Sequence, residues 1–140
     1  HPHWSPIDER LAFVSGRTGK AEVYLMDLVS KKVRVVTNGI KTYLYPQWSP
    51  DGSRLAFSLG VHGYSGLAVY DCATQATDLL IVPGKDPTWS PDGRMIAFAS
   101  RRDYTNQADI WYVWLSREDE EKAKEDILDE EDYKNLIIIC

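Results

Sequence analysis

The sequence predicts an all-β fold: three four-stranded antiparallel units stacked as blades of a partial β-propeller, with an acidic helical or linker tail behind them. Three observations carry this. The first is a segment written three times: His3-Trp4-Ser5-Pro6-Ile7-Asp8-Glu9-Arg10-Leu11-Ala12-Phe13, Gln47-Trp48-Ser49-Pro50-Asp51-Gly52-Ser53-Arg54-Leu55-Ala56-Phe57, and Thr88-Trp89-Ser90-Pro91-Asp92-Gly93-Arg94-Met95-Ile96-Ala97-Phe98. The second is its spacing. The tryptophans lie 44 and then 41 residues apart, each two positions after a proline, at Pro2, Pro46 and Pro87. Repeats of about 40 residues with room for four short strands are the pattern of propeller blades. The third is that residues 1–116 show no 3.6-residue apolar periodicity, which a helical repeat would require.

The units divide at about 1–44, 45–85 and 86–116, and each opens with a short Trp-Ser-Pro strand. A tight turn follows at Asp51-Gly52 and Asp92-Gly93, where glycine accepts a positive φ at little cost. The first copy has Ile7-Asp8 there, so a looser turn is expected. Short apolar runs at 11–15, 55–59 and 96–100 give the second strands, and runs at 21–28, 67–72 and 109–115 give the third. Fourth strands are expected at 32–37 and 77–82; Lys32-Val33-Arg34-Val35 alternates polar and apolar, as on a strand with one wet face. The third unit has no obvious fourth strand after Leu115, and Trp114 replaces the aspartate found at Asp27 and Asp71. Trp4, Trp48 and Trp89 recur at one place in every unit and are expected to pack between adjacent blades. Asp51 and Asp92 are expected to cap turns; calcium would need several more oxygen ligands close by.

The tail, residues 117–134, is an acidic linker or helix. Ser116 with Asp119 three residues on suits a helix start, and Glu118–Lys122, Glu120–Lys124 and Glu130–Lys134 have i,i+4 spacing. Residues 135–140 form a short β-prone segment. It is either the missing fourth strand or the first strand of a following domain.

The pattern Pro-x-Trp-Ser-Pro-Asp-Gly-x-x-Leu/Ile-Ala-Phe resembles the TolB-like (WD-like) propeller repeat over about residues 1–116. That family includes propellers of tricorn-type proteases and of prolyl-oligopeptidase-family enzymes. The resemblance implies a binding platform, lid or scaffold. It implies an extracytoplasmic place for a TolB-like protein and a cytoplasmic one for a peptidase-like protein.

Charge narrows the partners. Residues 1–116 hold 12 Lys/Arg against 11 Asp/Glu, and residues 117–140 hold 4 against 10. The body is neutral, so the basic stripe of a nucleic-acid binder is missing. No apolar run is long enough for a membrane span. The resemblance implies protein or peptide partners, and no cofactor is expected. Cys72 and Cys140 form no metal motif, though a disulfide between them is open in an oxidising compartment.

No catalyst is expected in this chain. Gly63-Tyr64-Ser65-Gly66 is one residue short of a nucleophile elbow, and no phosphate-binding glycine motif is present. Pro2 has no amide proton, which spoils an amino-terminal copper site at His1 and His3. Binding residues are expected in the loops after each second strand: Arg17 and Lys20; His62 and Tyr64; Arg101, Arg102, Asp103 and Tyr104. Three blades leave two apolar outer faces open. Either further blades in a longer chain complete the ring, or a homodimer closes six.

Overall fold

In a computed structural model, residues 1–61, 64–80, 82–100, 109–126 and 136–137 are described. They form three sheets of four strands. The first contains β1 (His3–Trp4), β2 (Arg10–Ser15), β3 (Glu22–Asp27) and β4 (Lys32–Val35). The second contains β5 (Thr42–Trp48), β6 (Arg54–Val61), β7 (Tyr64–Asp71) and β8 (Thr77–Leu80). The third contains β9 (Lys85–Trp89), β10 (Met95–Ser100), β11 (Asp109–Trp114) and β12 (Leu136–Ile137). Consecutive strands pair antiparallel through β11 in each sheet.

Local chemistry explains the repeated turns. The Gly52 N–H donates to the Ser49 carbonyl at 2.9 Å, and Gly93 to Ser90 at 2.9 Å. The serine hydroxyl then accepts from the first residue of the next strand, Arg54 N or Met95 N, at 2.9 Å each. Gly52 and Gly93 have φ of 65° and 71°, so a side chain at either position would be strained. The Asp51 carboxylate accepts from the Ser53 N–H at 3.1 Å, as Asp92 does from Arg94 N at 3.1 Å. Ser5 N still donates to Arg10 O at 2.8 Å in the first unit, but its turn is a run of bends with no glycine.

The Pro-x-Trp element is a β-bulge. Tyr45 and Asp86, each just before its proline, take positive φ of 56° and 55°, and the register slips between Leu44 and Gln47 and between Ala97 and Ala99. A bulge leaves a residue unpaired, so proline loses no ladder hydrogen bond there.

The fourth strand of the third sheet departs from the other two. In the first two units an aspartate closes the turn after the third strand: Asp27 accepts from Ser30 N at 2.8 Å, and Asp71 from Ala73 N at 2.9 Å and Thr74 N at 2.8 Å. Trp114 stands at that position and has no carboxylate to offer. The third unit keeps register one residue further, with Leu115 N donating to Arg94 O as Leu28 does to Glu9 and Cys72 to Ser53. The chain then enters helix α1 (Arg117–Asp126), where the Ser116 hydroxyl accepts from Asp119 N at 3.4 Å. The strand completing the sheet is β12, which runs parallel to β11, where β4 and β8 run antiparallel to their neighbours. Along α1, Lys122 meets Glu118 at 2.7 Å; Glu130 and Lys134 lie outside the described residues.

Alternation along the strands distributes the core. Leu55 and Phe57 of β6 point into a cluster shared with Ala12, Val23 and Leu25 of the first sheet, together with Trp48 and Tyr70. Ala56, between them in sequence, faces the other way, into a cluster with Leu67, Ile96, Phe98 and Val113. The middle sheet is thus apolar on both faces, as a sheet stacked on two neighbours must be.

Candidate functional site

Each junction between sheets is held by one repeated lock. Trp48 Nε1 donates to the His3 carbonyl at 3.1 Å, and Trp89 Nε1 to the Gln47 carbonyl at 3.0 Å. Over each indole lies an arginine of the preceding sheet: Arg10 is 4.5 Å from the Trp48 ring centre, Arg54 4.9 Å from that of Trp89. The same guanidinium groups donate to the next turn, Arg10 to Gly52 O at 2.9 Å and Arg54 to Gly93 O at 3.0 Å. Trp48 and Trp89 therefore pack between adjacent sheets. Trp4 does not: it is 60% exposed, with none of the three sheets packed over its face.

The first junction has a further contact. The Trp48 N–H donates to His3 Nδ1 at 3.1 Å, which requires that nitrogen to be unprotonated, and burial lowers the His3 pKa in the same sense.

Beside this junction lies a cleft of about 470 Å³ lined by Arg10, Asp27, Lys32 and Arg34 over the apolar side chain of Leu25. Lys32 and Arg34 are two residues apart on β4 and so share a face. Arg34 lies 5.7 Å over the Tyr70 ring and donates to its hydroxyl at 2.8 Å, while Arg10 is held by Asp8 at 2.7 Å. Three cations against Asp27 and the engaged Asp8 make a positively charged hollow with an apolar base. It suits a carboxylate attached to an apolar chain. On the opposite rim a cavity of about 190 Å³ is lined by Thr37, Asn38, Lys41, Tyr43 and Thr77.

The loop residues singled out from sequence fall elsewhere. Arg17 folds back over the Tyr24 ring at 4.6 Å and bonds Ser15, and Lys20 donates to the Ile40 carbonyl at 3.3 Å. The structure does not bring them into either cleft. His62, Arg101, Arg102, Asp103, Tyr104 and the Tyr64 side chain lie outside the described residues, as does Cys140. Cys72 is half-buried, and burial is the main cause of its raised pKa. No cluster of three or more His, Cys, Asp or Glu placed to hold a metal occurs among the described residues. Arg10, Lys32 and Arg34 escaped the sequence reading because their convergence joins the second and fourth strands of one unit. The one available signal was Arg recurring at Arg10 and Arg54 and the alternation through Lys32 and Arg34.

Comparison with known proteins places this architecture. The family model described as the TolB beta propeller domain matches residues 1–123. Among solved structures, TolB from Acinetobacter baumannii aligns with 26% identity and a TM-score of 0.69, covering 83% of this chain and 29% of that one. The putative TolB from Agrobacterium tumefaciens aligns with 27% identity and a TM-score of 0.69, covering 80% of this chain and 41% of that one. The β-propeller domain of the Trilobed protease from Pyrococcus furiosus shares the fold at 23% identity and a TM-score of 0.59, covering 76% and 36%. The chain thus spans less than half the length of these structures. No curated protein matches the sequence.

Proposed function

Because this chain belongs to the TolB beta propeller domain family, we propose that it is a non-catalytic binding or scaffold module for protein or peptide partners, forming part of a larger ring. The observation that carries this is the cleft where Arg10, Lys32 and Arg34 converge above Leu25. A peptide lying across the first junction sets an acidic side chain or terminal carboxylate against Lys32 and Arg34. Its neighbouring apolar group covers Leu25. Arg17 and Lys20, in the loop after β2, extend the binding surface. The ring is completed by further blades of a longer chain or by a second copy.

A second reading makes the chain part of the accessory propeller of a tricorn-like or prolyl-oligopeptidase-family serine peptidase, positioning peptides that another domain cuts. The likeness of the fold to the β-propeller domain of the Trilobed protease supports it.

Fluorescence polarisation with labelled peptides that differ only in having carboxylate or amide groups tests the binding reading. Carboxylate peptides are expected to bind, and Lys32→Ala with Arg34→Ala to weaken them at least about tenfold, with strong salt dependence. Equal affinity for acid and amide peptides, or for wild type and variant, would sink it.

A further inference from the structure

The connection between the first and second sheets, residues 36–41, walls a cavity of about 190 Å³ whose far side is Thr77 and Leu79 of β8. Those two residues pair with Tyr70 and Ala68, which pack toward the first sheet, so they share that face. Asp78, between them, lies on the other face. The stacking of sheets does not demand such an opening. At the next junction the connection carries Val82 into the apolar core, 3% exposed, and seats Gly84 against the Phe98 ring.

Local hydrogen bonds decide what the cavity wall can offer. Asn38 Oδ1 accepts from the Ile40 N–H at 3.3 Å and from the Tyr43 hydroxyl at 2.6 Å. A backbone N–H can only donate, so the amide atom facing Ile40 is the oxygen. The phenol keeps its proton, because burial and then the Glu22 carboxylate raise the Tyr43 pKa. Both bonds end on Oδ1, which leaves the Asn38 NH2 group without an acceptor among the described residues. Thr37 Oγ1 accepts from the Val23 N–H at 3.2 Å and so has its own proton to give. Thr77 adds a second hydroxyl. Lys41 adds a positive charge and makes no hydrogen bond or ion pair among the described residues.

No carboxylate lines the cavity. Glu22 is buried at 4% exposure behind Gly39, where it accepts from the Thr18 hydroxyl at 2.6 Å. The wall is therefore rich in donors and carries one cation, with Val36 and Leu79 as an apolar side. The volume equals that of about six waters of liquid, which limits a ligand to a compact molecule.

From this arrangement we propose that the cavity binds a small organic monocarboxylate. Its oxygens accept from Lys41 Nζ, Asn38 Nδ2 and the threonine hydroxyls, and its short alkyl group lies on Val36 and Leu79. A phosphate dianion would meet a single cation and leave the apolar side uncovered. The site shares no residue with the peptide cleft at Arg10, Lys32 and Arg34, and it does not depend on peptide binding there.

The test is a nitrogen-15 NMR titration of the full 140-residue chain with sodium butyrate, butyramide and inorganic phosphate at matched ionic strength. Butyrate is expected to give saturable shifts of the Asn38 side-chain NH2 and of the amides of 37–41, with a midpoint of about 1 mM, as suits so small a ligand. Butyramide should not. Lys41→Met keeps the stem and removes the charge, and should weaken butyrate at least about tenfold. Asn38→Asp keeps an acceptor for Ile40 and Tyr43 but replaces the free donor with a carboxylate oxygen, and should abolish binding. No saturable butyrate shift, an equal response to butyramide, phosphate binding as tight as butyrate, or unchanged affinity in either variant would each overturn the assignment. Lys32→Ala with Arg34→Ala should lose peptide binding and keep the butyrate shifts. Loss of those shifts in that variant would place the carboxylate in the other cleft and equally overturn it.

Discussion

Trp48 and Trp4 occupy the same place in the same motif, yet one is 4% exposed and the other 60%. Trp48 lies under Arg10, donates to the His3 carbonyl and joins a cluster with Leu55 and Phe57. Trp4 shares the Trp-Ser-Pro motif of its counterpart but has no sheet to lie against. A motif supplies the shape of an interface; the neighbour supplies its energy.

The largest test of this contrast is substitution of the two tryptophans. Trp48→Ala removes a buried indole from the first junction and should cost about 3–5 kcal/mol. Trp4→Ala should change the unfolding midpoint of the isolated chain by less than about 1 kcal/mol equivalent. Urea unfolding of both variants measures the difference, and equal losses would break the comparison.

Glycines sharpen it next. A Cβ on Gly84, in the connection between the second and third sheets, would lie 2.2 Å from Cδ2 of Phe98, a ring fixed in the core. Gly84→Ala should destabilise by about 1–3 kcal/mol. At Gly16, in the loop after β2, a Cβ would meet nothing within 4 Å, so Gly16→Ala should be neutral or slightly stabilising. Thermal melts of the pair read the contrast directly.

Arginine is the smaller component of the junction. Arg54→Met copies the Met95 arrangement onto the second junction, removing a stacked cation and its bond to the Gly93 carbonyl. A loss of about 1–2 kcal/mol is expected, well below that of Trp48→Ala. A larger loss would place the junction's energy in the lock rather than in apolar burial.

Acid separates the smallest effects. The His3 pKa is lowered from 6.5 by burial, so the folded chain favours neutral His3. Its contribution is complete above 6.5 and is lost as pH falls from there through the lower folded value. Asp51 and Asp92, held at about 2 chiefly by the Ser49 and Ser90 hydroxyls, contribute above 3.8 and lose that as pH falls toward 2. Stability against pH should fall in two separate ranges, and His3→Gln should flatten only the upper one. An unchanged upper range would assign it to another group.

The strands were legible because their causes are local. Asp-Gly turns, the repeated Trp-Ser-Pro segment and the alternation in β4 are set by residues within a few positions of one another. The same locality made the substitution at Trp114 visible without its consequence. After Trp114 the chain enters α1, and β12 then pairs parallel on the edge of β11, a pairing between residues more than 20 positions apart.

The sequence by itself determined the number of units, their turns, and which side chain faces which way, since these follow from φ preference and a period of two. Tertiary structure alone decided which faces were covered. Burial of Trp48 but not Trp4, the lock joining Arg10 to Trp48 and Gly52, and the cleft at Arg10, Lys32 and Arg34 all depend on residues distant in the chain. Apolar burial and cation–ring attraction act through space at a few ångströms, and a linear order of residues does not state those distances.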